Sequence, residues 1–141
     1  MVSATDVRKH TVASMVTVPV SSPSDKSKHG NDFYKYFFTH HPEVRKYFKG
    51  AENYTADDVA KSERFDKQGN AILLAVHILT ETYDNENVFR GFCRDIINRH
   101  VERRLDPALW KVLSVLLLLY SLEKTKDHQR GNVWKARNDR R

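Results

Sequence analysis

Three polar side chains lie on helical stripes that are otherwise apolar. Tyr34 lies within a cluster of phenylalanines, Gln68 follows Phe65 by one helical turn, and His100 follows Ile96 in the same way. Taken singly, each has an ordinary explanation, because a lone histidine on an apolar face is more often a core residue and an inward tyrosine usually bonds a backbone carbonyl. Together they direct an imidazole, an amide and a phenol toward the inside of a helical domain.

This set of side chains matches what a haem group requires. A haem needs a neutral imidazole on one face of the macrocycle and a small apolar space with a few hydrogen-bond donors on the other. Gln68 and His100 are 32 positions apart in the chain, on two different predicted helices. Residues on opposite faces of a flat macrocycle would be separated in this way.

The spacing of apolar residues predicts an all-helical chain. Apolar residues recur at intervals of three and four, and no window alternates apolar and polar residues as a half-buried strand does. Short connections are expected at Pro19–Pro23 and at Asp84–Asn87. The predicted helices cover about residues 6–18, 24–40, 62–83, 89–100 and 108–122, with a turn at 42–48, a short helix from 55 and a polar last segment at 127–141.

Two local signals mark where helices begin. Thr55 and Asp58 have the spacing of a capping box, in which each side chain satisfies a free amide at a helix start. Asp106 followed by Pro107 combines an N-cap acceptor with a proline at the first helical position. A helix is therefore expected from Ala108.

The composition limits the class of protein. A chain of 141 residues with a single cysteine, Cys93, is the size of one domain and cannot form an internal disulfide. The apolar run Val112–Leu122 is shorter than the roughly 20 residues that span a membrane, and the first residues do not resemble a secretory signal. We expect no membrane association and a cytoplasmic location as written, or an extracellular one if an N-terminal signal is missing.

The positive charge is concentrated at the C-terminal end. The net charge is +6, and residues 124–141 carry seven basic side chains against two acidic ones. Such a cluster can contact phosphate, but polar termini are commonly solvated tails. No nucleic-acid partner is expected.

Several stretches of the chain resemble the nematode globins in order and spacing. The match is close from about Gly30 to Trp110, plausible for the first helix and poor after Trp110. The stretches that carry it are Asp32–Phe38, His41–Glu52, Tyr54–Val59, Phe65–Gly69, Ile72–His77, Thr82–Glu86, Arg99–Val101 and Leu105–Trp110.

This resemblance implies a globin fold of about seven to eight helices around a pocket for haem b, with a shortened final helix. The whole chain, residues 1–141, would be one domain. Residues 1–23 would form the first helix and a loop, residues 24–122 the core of the haem pocket, and residues 123–141 a divergent basic C-terminal segment.

The resemblance also assigns residues that hold the haem. His100 matches the histidine whose ring nitrogen bonds iron while its other nitrogen donates to a nearby carbonyl. Phe48 matches the phenylalanine that packs flat against the haem. Ile96 and Leu105 would flank the proximal side.

On the distal side, the resemblance assigns Tyr34 and Gln68 as the pair that donates hydrogen bonds to dioxygen. Ile72, one turn after Gln68, would form a wall of the ligand space. Arg99 and Arg103 could pair with the haem carboxylates, although exposed arginines often serve only solubility.

The chain departs from the family pattern after Trp110. Nematode globins usually alternate aromatic and polar residues here and then add a full final helix, whereas Lys111–Tyr120 is rich in leucine and is apolar nearly all round. Weaker haem retention, a homodimer that covers the exposed strip and an error in the gene sequence are each consistent with this departure.

The expected function is reversible, high-affinity binding of dioxygen for transport or storage, without enzymatic activity. Carbon monoxide and nitric oxide are further candidate ligands. One alternative is a haem-dependent nitric oxide dioxygenase or a peroxidase-like enzyme, which would need an electron donor. Another is an interaction protein that keeps the globin scaffold without haem, although the intact Tyr34, Gln68 and His100 argue against it.

Overall fold

A computed structural model describes residues 1–21 and 28–138. Within these ranges the chain forms helices and no strand, which confirms the all-α prediction. The elements are α1 (Ala4–Met15), α2 (His29–His40), a 3₁₀ helix (Pro42–Tyr47), α3 (Ala56–Lys61), α4 (Glu63–Glu81), α5 (Glu86–Val101) and α6 (Leu109–Asn138).

The helix starts follow local capping signals. The predicted capping box is present at α3, where the Thr55 hydroxyl accepts from the Asp58 amide and the Asp58 carboxylate accepts from the Thr55 amide. A second capping box, at Ser3 and Asp6, begins α1. The predicted start of the second helix at residue 24 lies outside the described residues, and α2 is described from His29.

Two glycines allow α2 and α4 to cross with their backbones in contact. A Cβ atom on Gly30 would overlap with the backbone of α4 at Asp66, and a Cβ atom on Gly69 would overlap with Gly30 itself. Only a residue without a side chain tolerates such a close approach. The close crossing therefore fixes the position of α2 relative to α4. Tyr34 lies on α2 and Gln68 lies on α4.

The hydrophobic core lies between these two helices. Phe33, Tyr34 and Phe38 of α2 and Phe65 and Leu73 of α4 are each at most 1% exposed. Burying each such side chain contributes roughly 1.5–3 kcal/mol. The α2–α4 pair therefore contributes a large part of the stability that comes from apolar burial.

The helices α5 and α6 are much more exposed. No residue of α5 is buried. Among the side chains of α6 that are described, Leu116 and Tyr120 are buried. An apolar strip on the same helix faces outward and consists of Val115, Leu118, Leu119 and Leu122.

The predicted end of the helix near Leu122 is wrong, because α6 continues to Asn138 as one helix of 30 residues. The segment expected to form a separate shortened final helix is its second half. Residues 123–130 contain no proline and include glutamate, lysine, glutamine and arginine, which favour helix, and a single glycine at Gly131 is not enough to end one. In the described part of the chain, no helix has the length and apolar character that crossing a membrane requires.

Candidate haem pocket

A cavity of about 540 Å³ lies between the α2–α4 pair and the junction of α5 with α6. Ligand-binding cavities commonly have volumes of roughly 300–1,000 Å³. Its walls are lined by Phe33, Tyr34, Phe37, Val44, Tyr47, Phe48, Lys49, Arg64, Gln68, Ile72, His100, Arg103, Leu105, Asp106, Leu109, Trp110, Val112 and Leu113.

Seven of the nine residues assigned from the sequence line this cavity, namely Tyr34, Phe48, Gln68, Ile72, His100, Arg103 and Leu105. Ile96 and Arg99 are not among the lining residues. Ile96 is half-buried and Arg99 is exposed, because the position before His100 is turned by about 100° around the helix. Arg103, one turn after His100, is the arginine that lines the cavity.

The His100 ring is held by its own helix. Its Nδ1 lies 2.7 Å from the carbonyl oxygen of Ile96. A carbonyl oxygen can only accept, so Nδ1–H donates, and in the neutral imidazole Nε2 is then the nitrogen that carries the lone pair. This is the tautomer that binds a metal ion through Nε2.

Trp110 packs against the same imidazole. The centroids of the His100 and Trp110 rings are 4.6 Å apart, with 57° between their planes. Trp110 also lines the cavity, and the sequence analysis assigned it no function. The hydrogen bond to Ile96 and this ring contact together restrict the orientation of the imidazole.

On the opposite wall, the Tyr34 phenol is 1% exposed. Its ring makes edge contacts with Phe65 at 4.9 Å and Phe48 at 5.5 Å between centroids. Burial raises the pKa of the phenol well above its usual value, and a hydrogen bond with Gln68 lowers this pKa in part. Tyr34 therefore stays protonated at neutral pH and can donate a hydrogen bond.

Phe48 lies at the end of the 3₁₀ helix that begins at Pro42. Its backbone N–H donates to the carbonyl oxygen of Arg45 at 2.9 Å, which sets the turn that directs the ring inward. The ring contacts Phe38 at 5.1 Å and Phe65 at 5.7 Å between centroids. The predicted sharp turn before Phe48 is confirmed.

Positive side chains line part of the cavity. These are Lys49, Arg64 and Arg103, together with one acidic residue, Asp106. The Nη1 of Arg64 donates to the carbonyl oxygen of Lys49 at 2.8 Å. Lys49 and Arg64 were not predicted as site residues, although Arg64 lies one turn before Gln68 and so shares its face of α4.

The cavity has the chemistry that a haem requires. Aromatic walls suit the apolar macrocycle, and the cationic side chains suit its two carboxylates. Nε2 of His100 would be the protein's ligand to the iron. The residues present therefore fit a haem.

The comparison with protein families agrees with this geometry. The globin family model matches residues 31–140. The chain belongs to the globin family. Globins hold haem through a histidine within a fold of packed helices.

Within this family, the chain is similar to nematode proteins. It is 61% identical over 110 residues to a cuticular globin isoform of Nippostrongylus brasiliensis, covering 78% of this chain and 62% of that protein. It is also 61% identical over 106 residues to a myoglobin of the same nematode, covering 75% and 68% respectively. The resemblance to nematode globins is confirmed, and the chain spans less than two thirds of the cuticular globin.

A solved structure supports the fold. A high-resolution structure of a globin-like protein from Caenorhabditis elegans superposes with a TM-score of 0.80 and 47% sequence identity. The superposition covers 86% of this chain and 77% of that protein.

Proposed function

We propose that this chain binds one haem b and uses it to bind dioxygen reversibly and with high affinity, as a store or a carrier. The observation that carries the proposal is that Tyr34 and Gln68 line the same cavity as His100. The bound haem would supply the iron at which a diatomic gas can coordinate.

In this proposal, residues from both walls of the cavity hold the cofactor. His100 uses Nε2 as the iron ligand, and its hydrogen bond through Nδ1 to the Ile96 carbonyl restricts the orientation of the ring. Phe48 packs against the macrocycle. Arg64 and Arg103 are the cations that we pair with the haem carboxylates.

The distal wall holds the ligand. The hydroxyl of Tyr34 and the amide of Gln68 each donate a hydrogen bond to a diatomic ligand with partial negative charge. Each bond contributes about 1–1.5 kcal/mol. Because about 1.4 kcal/mol corresponds to a factor of ten, the two together slow ligand release by roughly a hundredfold. Ile72 keeps this space apolar.

The variant Tyr34→Phe tests this function. Removing one donor should raise the dissociation rate constant of oxygen by about tenfold, measured by stopped flow on the haem-loaded chain. The variant Tyr36→Phe is a matched control, because Tyr36 is on the same helix but contacts Tyr120, with 5.6 Å between ring centroids, and does not line the cavity.

Equal dissociation rate constants of oxygen for the wild type and Tyr34→Phe would show that Tyr34 does not bond the ligand. Turnover of nitric oxide in the presence of a reductant, at a rate faster than oxygen release, would make the chain an enzyme instead of a carrier.

A further inference from the structure

Asn31 is a buried polar residue one turn before Tyr34 on α2, and it is 2% exposed. Its amide nitrogen donates to the carbonyl oxygen of Val59 at 2.6 Å and to that of Ser62 at 2.7 Å. Val59 belongs to α3, and Ser62 is the N-cap of α4. A single side chain of α2 therefore holds the corner between the two following helices.

This arrangement is costly for the core. The Oδ1 atom of Asn31 is buried without a hydrogen-bond partner among the described residues. A buried acceptor that loses its water and gains no donor destabilises the fold. An aliphatic side chain of similar size would avoid that cost, so the benefit of asparagine lies in the two bonds that its amide makes.

These bonds add a second attachment between α2 and α4. The first is the backbone contact between Gly30 and Gly69. On α2 the two attachments are neighbours, at Gly30 and Asn31, but on α4 they are separated, so together they restrict rotation of α4 about the crossing point more than the glycine contact alone. The attachment at Ser62 is about two turns from the one at Gly69.

The two ligand donors lie next to these attachments. Phe65, three residues after Ser62, contacts the ring of Tyr34 at 4.9 Å between centroids. Gln68 follows Phe65 by three residues, lines the same cavity as Tyr34, and lowers the pKa of the Tyr34 phenol through its side chain. A shift of the first turn of α4 therefore changes the separation of the two donors.

We propose that Asn31 is a positioning residue for the ligand site: its two hydrogen bonds lock the α3–α4 corner onto α2 and so set the separation between the Tyr34 hydroxyl and the Gln68 amide. This inference rests on the proposed oxygen-binding function. In this inference Asn31 does not contact the ligand and affects its retention only by positioning Tyr34 and Gln68.

The first test is the variant Asn31→Leu, which keeps the approximate volume and removes both donors. The dissociation rate constant of oxygen should rise by about tenfold, because one of the two ligand bonds is then out of reach. The matched control is Val59→Ala, which truncates a fully buried side chain at the same corner and leaves both hydrogen bonds to Asn31. It should lower the melting temperature and leave the oxygen rate within about twofold.

A double-mutant cycle separates positioning from a general loss of stability. In a chain that already carries Tyr34→Phe and Gln68→Leu, adding Asn31→Leu should change the oxygen rate by less than about twofold, because the donors that it positions are absent. If the effect stays near tenfold in that background, Asn31 does not act through Tyr34 and Gln68 and the proposal is overturned.

A measurement on the haem-free chain tests whether the two hydrogen bonds of Asn31 position Gln68. In the nitrogen-15-labelled haem-free chain, the side-chain amide resonance of Gln68 should move toward the position of a solvent-bonded amide in Asn31→Leu and stay in place in Val59→Ala. An unmoved resonance would contradict the proposal.

If Asn31→Leu does not fold, Asn31→Ser replaces it in each measurement. Serine is too short to reach both carbonyls, so each effect is expected in the same direction.

The two proposals fail in different ways. A wild-type chain that forms no oxygen adduct contradicts the proposed function. In that case the Gln68 resonance still tests whether Asn31 positions the Gln68 side chain. A wild-type chain that binds oxygen, with equal rates for the wild type and Asn31→Leu, contradicts only the inference about Asn31.

Discussion

The two walls of the cavity are built differently. The distal wall consists of α2 and α4, which cross at Gly30 and Gly69 and bury the core aromatic residues between them. The proximal wall consists of the end of α5 and the start of α6, and no residue of α5 is buried. The proposed ligand donors therefore belong to the core, whereas the proposed iron ligand lies on an exposed helix.

This difference separates two properties of the protein. A change in the distal wall should alter both the stability of the fold and the rate of ligand release, because the same side chains serve both. A change in the proximal wall should alter haem retention and leave the folded chain intact. Substitutions in the two walls can test this separation.

The largest effect is expected for His100→Ala. The variant loses the proposed iron ligand, so it should not retain haem on a desalting column, while the far-ultraviolet circular dichroism of the haem-free chain stays unchanged. The control is His40→Ala, since His40 is exposed and does not line the cavity. A His100→Ala spectrum that still shows imidazole ligation would mean that another histidine binds the iron.

The next effect compares the same substitution, glycine to alanine, in α4 and in α5. Gly69→Ala places a methyl group against the backbone of Gly30 and should destabilise the chain by about 1–3 kcal/mol. Gly91→Ala on α5 meets nothing within 4 Å and should stabilise it by up to about 1 kcal/mol. Urea unfolding of the haem-free variants measures both. Similar effects of the same sign would remove the distinction between the two walls.

The smallest effect is expected on the outer face of α6. Leu118 is 60% exposed, so Leu118→Gln in a monomer should change the free energy of unfolding by no more than about 0.5 kcal/mol. Sedimentation velocity of the wild type and the variant is the second measurement. A wild-type dimer that Leu118→Gln dissociates would show that the apolar strip is covered by a second copy.

The distal residues could be predicted because helical periodicity determines which face each residue occupies. Tyr34 and Gln68 are the polar exceptions on their stripes, and the structure places both on the wall of one cavity. Lys49 could not be found in this way. It lies in a loop that turns back at Gly50, whose φ is 81°, and helical spacing carries no information about that turn.

The proximal half was harder to read from the sequence. Ile96 and Arg99 both lie near His100 in the chain, but a helix distributes neighbouring residues around its axis, so only Arg103 of the two arginines reaches the cavity. The end of α6 was also misplaced. Its polar, basic second half is compatible with both a solvated tail and a helix, and no proline separates it from the apolar first half.

The most direct test of the account is the visible absorption spectrum of the purified chain mixed with haem, reduced, and then exposed to oxygen and to carbon monoxide. We expect a five-coordinate reduced spectrum that converts to a stable oxygen adduct, with His100 as the protein ligand. A chain that folds but does not retain haem would contradict the proposed function, and would favour an interaction protein that keeps only the globin scaffold.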